Sequence, residues 1–252
     1  MAISKVRQMI YTEEFTLSTL ICDEDDRLTL WGLARLFQDV AGDQSDSLGT
    51  GFEGLKPLHK AWVLTNVYYN IIRFPSAGER LTLKTWAKAD NGLIAPRDYE
   101  LVDADGKLCA ASASNWVIID MDKRRVCRLG ELIAPYEKED RHATKYTKLE
   151  KIVMPAEMAF HKQITVPYSS LDHTRHVNNA EYIKWICDEV PELCQPRSCG
   201  RKEISEFEIN YIKETRFGDT NVRMFTQDSQ DSKYFQLQNS NGVAVNARLQ
   251  LN

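Results

Sequence analysis

The sequence predicts an α+β fold assembled from two tandem copies of one unit, each a helix followed by a run of antiparallel strands. Three observations carry that prediction. Two segments, beginning near Leu28 and near Val177, have the i, i+3, i+4, i+7 apolar spacing of an amphipathic helix. Each is preceded by one strand-like run and followed by four more. The turns between those strands also correspond: Ala77-Gly-Glu79 pairs with Phe217-Gly-Asp219, and Asp103-Ala-Asp-Gly106 with Asn239-Ser-Asn-Gly242.

In chain order, Glu14–Leu17 alternates in period two and predicts a strand. The run LTLWGLARLFQDVAG then puts Leu30, Leu33, Leu36, Phe37 and Val40 on one face of a helix of about four turns. Strands are expected at 62–72, 80–89, 97–102 and 108–120, with glycine at turn positions that favour φ > 0. Residues 131–157, rich in Lys, Glu, Asp and Thr with prolines at 135 and 155, predict a crossover linker. The second copy repeats the order: a strand at 163–166, a helix carrying Tyr182, Ile183, Trp185, Ile186 and Val190, then strands at 204–212, 220–227, 232–238 and 243–251. The expected units are thus 1–130 and 158–252. A sheet of this size leaves an edge that a second copy would cover, so the duplication predicts a built-in dimer, and a homodimer of the whole chain is compatible with it.

Composition removes several classes. With 252 residues, 43% hydrophobic and 27% charged, the chain suits a globular protein rather than a disordered one. No apolar run approaches the roughly 20 residues of a membrane span. The net charge of −4 divides evenly between residues 1–130 and 131–252, so neither part is a basic nucleic-acid module. No secretory h-region opens the sequence, and its six cysteines form no CxxC pair, which leads to the expectation of a reducing, cytoplasmic setting without disulfides or zinc. Gly49-Thr-Gly-Phe-Glu-Gly54 matches GxGxxG but follows a helix rather than a strand, so no dinucleotide site is expected. The sequence contains no GxxxxGK[ST], HExxH or GxSxG, and no cofactor or metal is implied.

The densest polar cluster is Leu171-Asp-His-Thr-Arg-His-Val-Asn-Asn-Ala-Glu-Tyr182, where a strand ends and the second helix begins. A helix start offers unpaired N–H groups and partial positive charge to an anion or a developing oxyanion. The first copy has Asp26-Arg-Leu-Thr at that place, with no histidine. Aligning Gly78 with Gly218 also sets Phe74 opposite Glu214. Both differences point to binding in the first copy and chemistry in the second. His173 reads as solvent-facing.

The run LDHTRHVNNAEYIKW resembles the active-site signature of fatty acyl-acyl carrier protein (acyl-ACP) thioesterases, whose usual form is LDxNxHVNNxxYxxW. Trp62-Val-Leu-Thr65, Arg73-Phe-Pro75, Thr85-Trp86, Arg97-Asp98, Asn115-Trp-Val117 and Lys123-Arg-Arg-Val126 are similar to the family's first-domain landmarks. The resemblance implies two tandem hot-dog domains, each an antiparallel sheet wrapped around a long central helix, the first binding the acyl chain and the second catalytic. It implies catalytic roles for Asp172, His176 and Glu214, and puts Thr174 where the family has asparagine. It further implies hydrolysis of the acyl thioester, with Glu214 or Asp172 activating water or attacking directly; with no transit peptide read at the start of the sequence, a cytosolic bacterial rather than plastid protein is expected. Backbone N–H groups of Val177, Asn178 and Asn179 are the expected oxyanion donors. Trp31, Leu33, Leu36 and Phe37 are candidates for the tunnel wall, and Lys123, Arg124, Arg125 and Arg128 for docking of the acidic carrier protein. An acyl-CoA thioesterase and a non-catalytic acyl-binding protein are the alternative readings.

Overall fold

The computed structural model describes residues 9–172, 174–193, 201–219 and 221–252; His173 lies outside them. Its strands are β1 (Tyr11–Thr16), β2 (Lys60–Ile71), β3 (Arg80–Ala87), β4 (Ala95–Asp103), β5 (Leu108–Asp120), β6 (Arg125–Val126), β7 (Ala159–Ile164), β8 (Ile204–Tyr211), β9 (Val222–Asp228), β10 (Lys233–Asn239) and β11 (Gly242–Leu251). The helices are α1 (Leu30–Ser47), α2 (Phe52–Leu55) and α3 (Asn179–Cys187). All named strands join one antiparallel sheet in the order β1-β3-β4-β5-β2-β8-β11-β10-β9-β7, with β6 on β5. From one edge the order runs 1-3-4-5-2, and from the other 7-9-10-11-8. The two series meet at the β2–β8 pairing, where Asn66 faces Asn210 and Val67 faces Ile209.

Local signals account for the helix starts. Thr29 caps α1 by accepting the Gly32 N–H at 3.0 Å, and Asn178 caps α3 by accepting the Ala180 N–H at 2.9 Å. The second helix is shorter than its periodicity suggested: α3 ends at Cys187, and Val190 lies beyond it in the core. Asp188 follows at its C-cap and Pro191 soon after, which stops helical continuation.

The two helices pack on each other against one face of the sheet. A single cluster runs through both series, from Leu33, Phe37, Tyr69 and Tyr99 to Ile183, Phe207 and Leu237. Phe37 stacks on Tyr99 at 4.8 Å between ring centroids, and burial of such a ring is worth about 1.5–3 kcal/mol. Glu181, though buried, is satisfied by Arg35 at 2.7 Å and by the Ser170 hydroxyl at 3.0 Å, which ties α3 to α1.

The GxGxxG stretch is a helix-to-helix turn. Gly49 has φ +72° after α1, and a Cβ on Gly54 would sit 2.0 Å from the Gly49 carbonyl oxygen. Its glycines answer backbone crowding rather than a phosphate. On the opposite face of the sheet, residues 137–158 run as a strap without regular structure. The Trp86 indole and the Lys88 ammonium bind the Arg141 carbonyl, Asp98 accepts the Ala143 N–H at 2.9 Å, and Tyr146 donates to Glu208 at 3.1 Å.

Candidate active site

The site is built on a tight loop between a short turn at Tyr168–Ser170 and α3. The Asp172 N–H donates to the His176 carbonyl at 2.9 Å, and the Arg175 N–H to the Asp172 carbonyl at 3.0 Å. Arg175 adopts φ +65° to close it. Asp172 Oδ1 accepts the Thr174 N–H at 2.8 Å, an Asx turn that pins the loop. The first series contains the same construction. The Asp23 N–H donates to the Arg27 carbonyl at 2.7 Å, Asp23 Oδ1 accepts the Asp25 N–H at 3.0 Å, and Asp26 has φ +58°. Leu28 N–H then bonds the Pro75 carbonyl as Val177 N–H bonds that of Thr215. Matched through these bonds, Asp25, Arg27 and Phe74 stand where the second loop has Thr174, His176 and Glu214. One backbone device thus occurs twice, and the histidine and glutamate stand in the second copy.

Within the second loop four side chains form a continuous chain. The Thr174 hydroxyl donates to Asp172 Oδ1 at 2.5 Å and lies 2.9 Å from His176 Nδ1. His176 Nε2 lies 3.0 Å from Glu214 Oε2. A carboxylate only accepts, so the Thr174 proton goes to Asp172 and its oxygen accepts Nδ1–H from the ring. His176 Nε2 also lies 3.2 Å from Arg216 Nε.

Glu214 sits three residues beyond β8, in the segment that His176 bridges through Arg216. Its second oxygen accepts from Arg124 and, at 2.6 Å, from Arg216. Partial burial opposes its ionisation, but the hydrogen bond from Arg124, the adjacent His176 and the Arg216 guanidinium outweigh this and hold it below the usual glutamate range. These partners favour its ionised form.

These groups open into a cavity of about 1030 Å³ that continues past Trp116 and Leu64 to Arg97 and Tyr136, the upper end of the size range of ligand pockets. Asp172, Thr174, His176, Glu214 and Arg124 all line it.

Several expected roles change. The Val177 and Asn178 N–H groups are taken by the carbonyls of Thr215 and Ser170, both at 2.9 Å. Of the three expected oxyanion donors, this leaves Asn179, the first residue of α3, where helical N–H groups lack internal partners. Trp31, Leu33, Leu36 and Phe37 belong to the core: Leu33 and Phe37 are buried in it, Trp31 and Leu36 pack against it, and none lines the cavity. The helical stripe that does is the polar one, Arg35, Gln38, Gly42 and Ser45. Arg124 leaves the docking group, because from the β5–β6 turn, with φ +52°, it reaches Glu214. Lys123, Arg125 and Arg128 stay exposed beside it. Arg216 was not anticipated, although alternate residues of extended chain share a side and it lies two residues after Glu214.

Comparisons with known proteins place the chain among relatives. The acyl-ACP thioesterase N-terminal domain profile matches residues 8–136, and the acyl-ACP thioesterase C-terminal domain profile matches residues 153–249. Oleoyl-acyl carrier protein thioesterase 2, chloroplastic, of Arabidopsis thaliana is 22% identical over 260 residues, which cover 96% of this chain and 70% of that protein. Its thioesterase 1 counterpart is 24% identical over 202 residues, 72% of this chain and 55% of that protein. The chain therefore spans only part of each of these plant relatives. Among solved structures, an acyl-ACP thioesterase from Bacteroides thetaiotaomicron superposes with a TM-score of 0.81 at 22% identity, covering 97% of this chain and 98% of that one. A 12:0-ACP thioesterase from Umbellularia californica gives a TM-score of 0.81 at 20% identity, covering 98% of both. The large antiparallel sheet with few helices is the fold these proteins share, and the chain belongs to the acyl-ACP thioesterase family.

Proposed function

We propose that this chain hydrolyses the thioester of a fatty acyl chain carried on acyl carrier protein, releasing the free fatty acid and ending chain elongation. The observation that carries the reading is the unbroken Asp172–Thr174–His176–Glu214 chain at the mouth of a cavity large enough for an acyl group. Glu214 Oε2 accepts a proton from the attacking water as its oxygen bonds to the thioester carbon. His176 Nε2, 3.0 Å away, receives that proton and delivers it to the leaving thiolate as the C–S bond breaks. Asp172 and Thr174 orient the ring for this transfer, with Asp172 Oδ1 accepting from the Thr174 N–H and hydroxyl. The Asn179 N–H faces the developing oxyanion; one such donor is typically worth about 3 kcal/mol.

In this reading residues 1–130 and 158–252 are two hot-dog domains joined by 131–157, and each sheet wraps its helix. What supports it is the mirrored strand order and the repeated Asp23 and Asp172 loops. The exposed Lys123, Arg125 and Arg128 offer complementary charge to an acidic carrier protein. The test is release of free fatty acid from acyl-ACP and acyl-CoA side by side. Faster turnover of the carrier-linked substrate is expected. Preference for the CoA thioester would reassign the enzyme, and binding without release would make it an acyl-binding protein.

A further inference from the structure

The lysines and arginines that line the cavity are, with one exception, engaged within the protein. Arg35 pairs with Glu181 at 2.7 Å, Arg124 with Glu214 and Lys138 with Asp90. Lys88 donates to the carbonyls of Asp140 and Arg141, Arg97 to Gln44 and Thr85, and Lys213 to the Asn241 carbonyl. Lys60, the first residue of β2, also lines the cavity and is half-buried, and its ammonium has no partner among the described residues. Its cross-strand neighbour Asp120 is taken up by the β5–β6 turn, where it accepts the Lys123 N–H at 2.8 Å and lies 3.6 Å from the Lys123 ammonium. Residues two apart along a strand share a face. Lys60 therefore lies on the side of Trp62, whose indole reaches the Thr50 carbonyl just beyond α1, and of Leu64, which belongs to the core cluster that α1 covers.

Position along the sheet puts these groups in order. Counted from the Asn66–Asn210 pair, Glu214 lies four residues and Lys60 six toward the same end, and the register shift between Leu64 and Asn66 takes up one of the six. Lys60 thus stands one to two residues, roughly 3–7 Å, farther out than Glu214 and one strand to the side. A thioester whose acyl chain runs inward past Leu64 and Trp116 sends its carrier arm outward past Lys60. In that arm, 4′-phosphopantetheine, about 13 bonds separate sulfur from phosphorus, roughly 16 Å when extended, so it covers the distance with slack. Building on the thioesterase reading, we infer that Lys60 is the subsite for the phosphate of this arm, its uncommitted ammonium donating to a phosphate oxygen at the cavity mouth. Carrier-linked and CoA-linked thioesters both present that phosphate, whereas Lys123, Arg125 and Arg128 face the carrier protein itself.

The test compares kcat/KM for one acyl chain carried on pantetheine, on 4′-phosphopantetheine and on acyl carrier protein, in wild type and in Lys60→Gln. In the wild type the phosphate should raise kcat/KM about fivefold or more over the bare arm, and Lys60→Gln should bring that ratio close to one. With acyl-ACP the variant should lose a similar factor, mostly through KM, and Lys60→Arg should recover most of it because the cation remains. A wild-type ratio near one would overturn the inference. So would a ratio that survives in Lys60→Gln, since the phosphate is then held elsewhere, and so would a loss confined to acyl-ACP, which would move Lys60 to the carrier-docking surface. Failure to hydrolyse any of the three substrates would count instead against the thioesterase reading on which the subsite rests.

Discussion

Replacing Thr174 by valine removes one oxygen and keeps the branched shape, so it probes the middle of the side-chain chain. That oxygen gives a 2.5 Å hydrogen bond to Asp172 and takes one of 2.9 Å from His176. The loop keeps its Asx turn, because the Thr174 N–H to Asp172 bond at 2.8 Å belongs to the backbone. Hydrogen bonds to charged groups are worth roughly 1.5–3 kcal/mol. Losing the one that orients His176 should therefore lower kcat about 10- to 100-fold, at 1.36 kcal/mol per decade. Thr174 is exposed, and surface substitutions typically stay within about 0.5 kcal/mol, so Tm should hardly move. The assay is steady-state release of fatty acid from acyl-ACP alongside thermal unfolding. Thr174→Ser should restore most of the rate, and Thr174→Asn should be tolerated because it returns the family's usual residue. A valine variant within about twofold of wild type in kcat would refute the relay.

Arg124→Gln removes a donor that holds the Glu214 pKa low, so the acidic limb of kcat/KM should move to higher pH; an unmoved limb would mean that Arg124 does not govern this carboxylate. The stability effect has a matching sign. A glutamate whose folded pKa is depressed stabilises the fold above its unfolded pKa and loses that contribution as pH falls through the lower folded value, so the wild type should lose more stability than the Gln variant on acidification. Reversing charge at Lys123, Arg125 and Arg128 should lower kcat/KM for acyl-ACP at low salt and leave acyl-CoA turnover little changed, with salt erasing the difference. Gly54→Ala should lower stability by about 1–3 kcal/mol, read as a drop in Tm, because the new Cβ meets the Gly49 carbonyl oxygen.

The strands were legible as strand-like runs set between turn signals: β2, β3, β5, β8 and β11 lie within a few residues of the segments read from sequence. The short β6 was not, since two residues carry no period. Asp172, His176 and Glu214 were legible from motif and repeat, and they do come together in space. What sequence hid is contact across long separation. Arg124 and Glu214 are distant in the chain, and only the β2–β8 junction brings the β5–β6 turn over the second loop. The lining of the cavity was hidden for a related reason. Hydrophobicity marked the face of α1 that meets the core, while the cavity takes the polar stripe through Arg35, Gln38 and Ser45. That the Val177 and Asn178 N–H groups bond carbonyls was hidden because a loop's own hydrogen bonds leave no trace in composition.

The central claim is that Glu214, ordered through His176, Thr174 and Asp172, hydrolyses acyl-ACP. Single-turnover release of fatty acid from acyl-ACP by wild type and Glu214→Gln tests it most directly, because Gln keeps the shape and removes the base. The account predicts chemistry slowed at least about 100-fold in a variant of unchanged Tm. Release at the wild-type rate would contradict it.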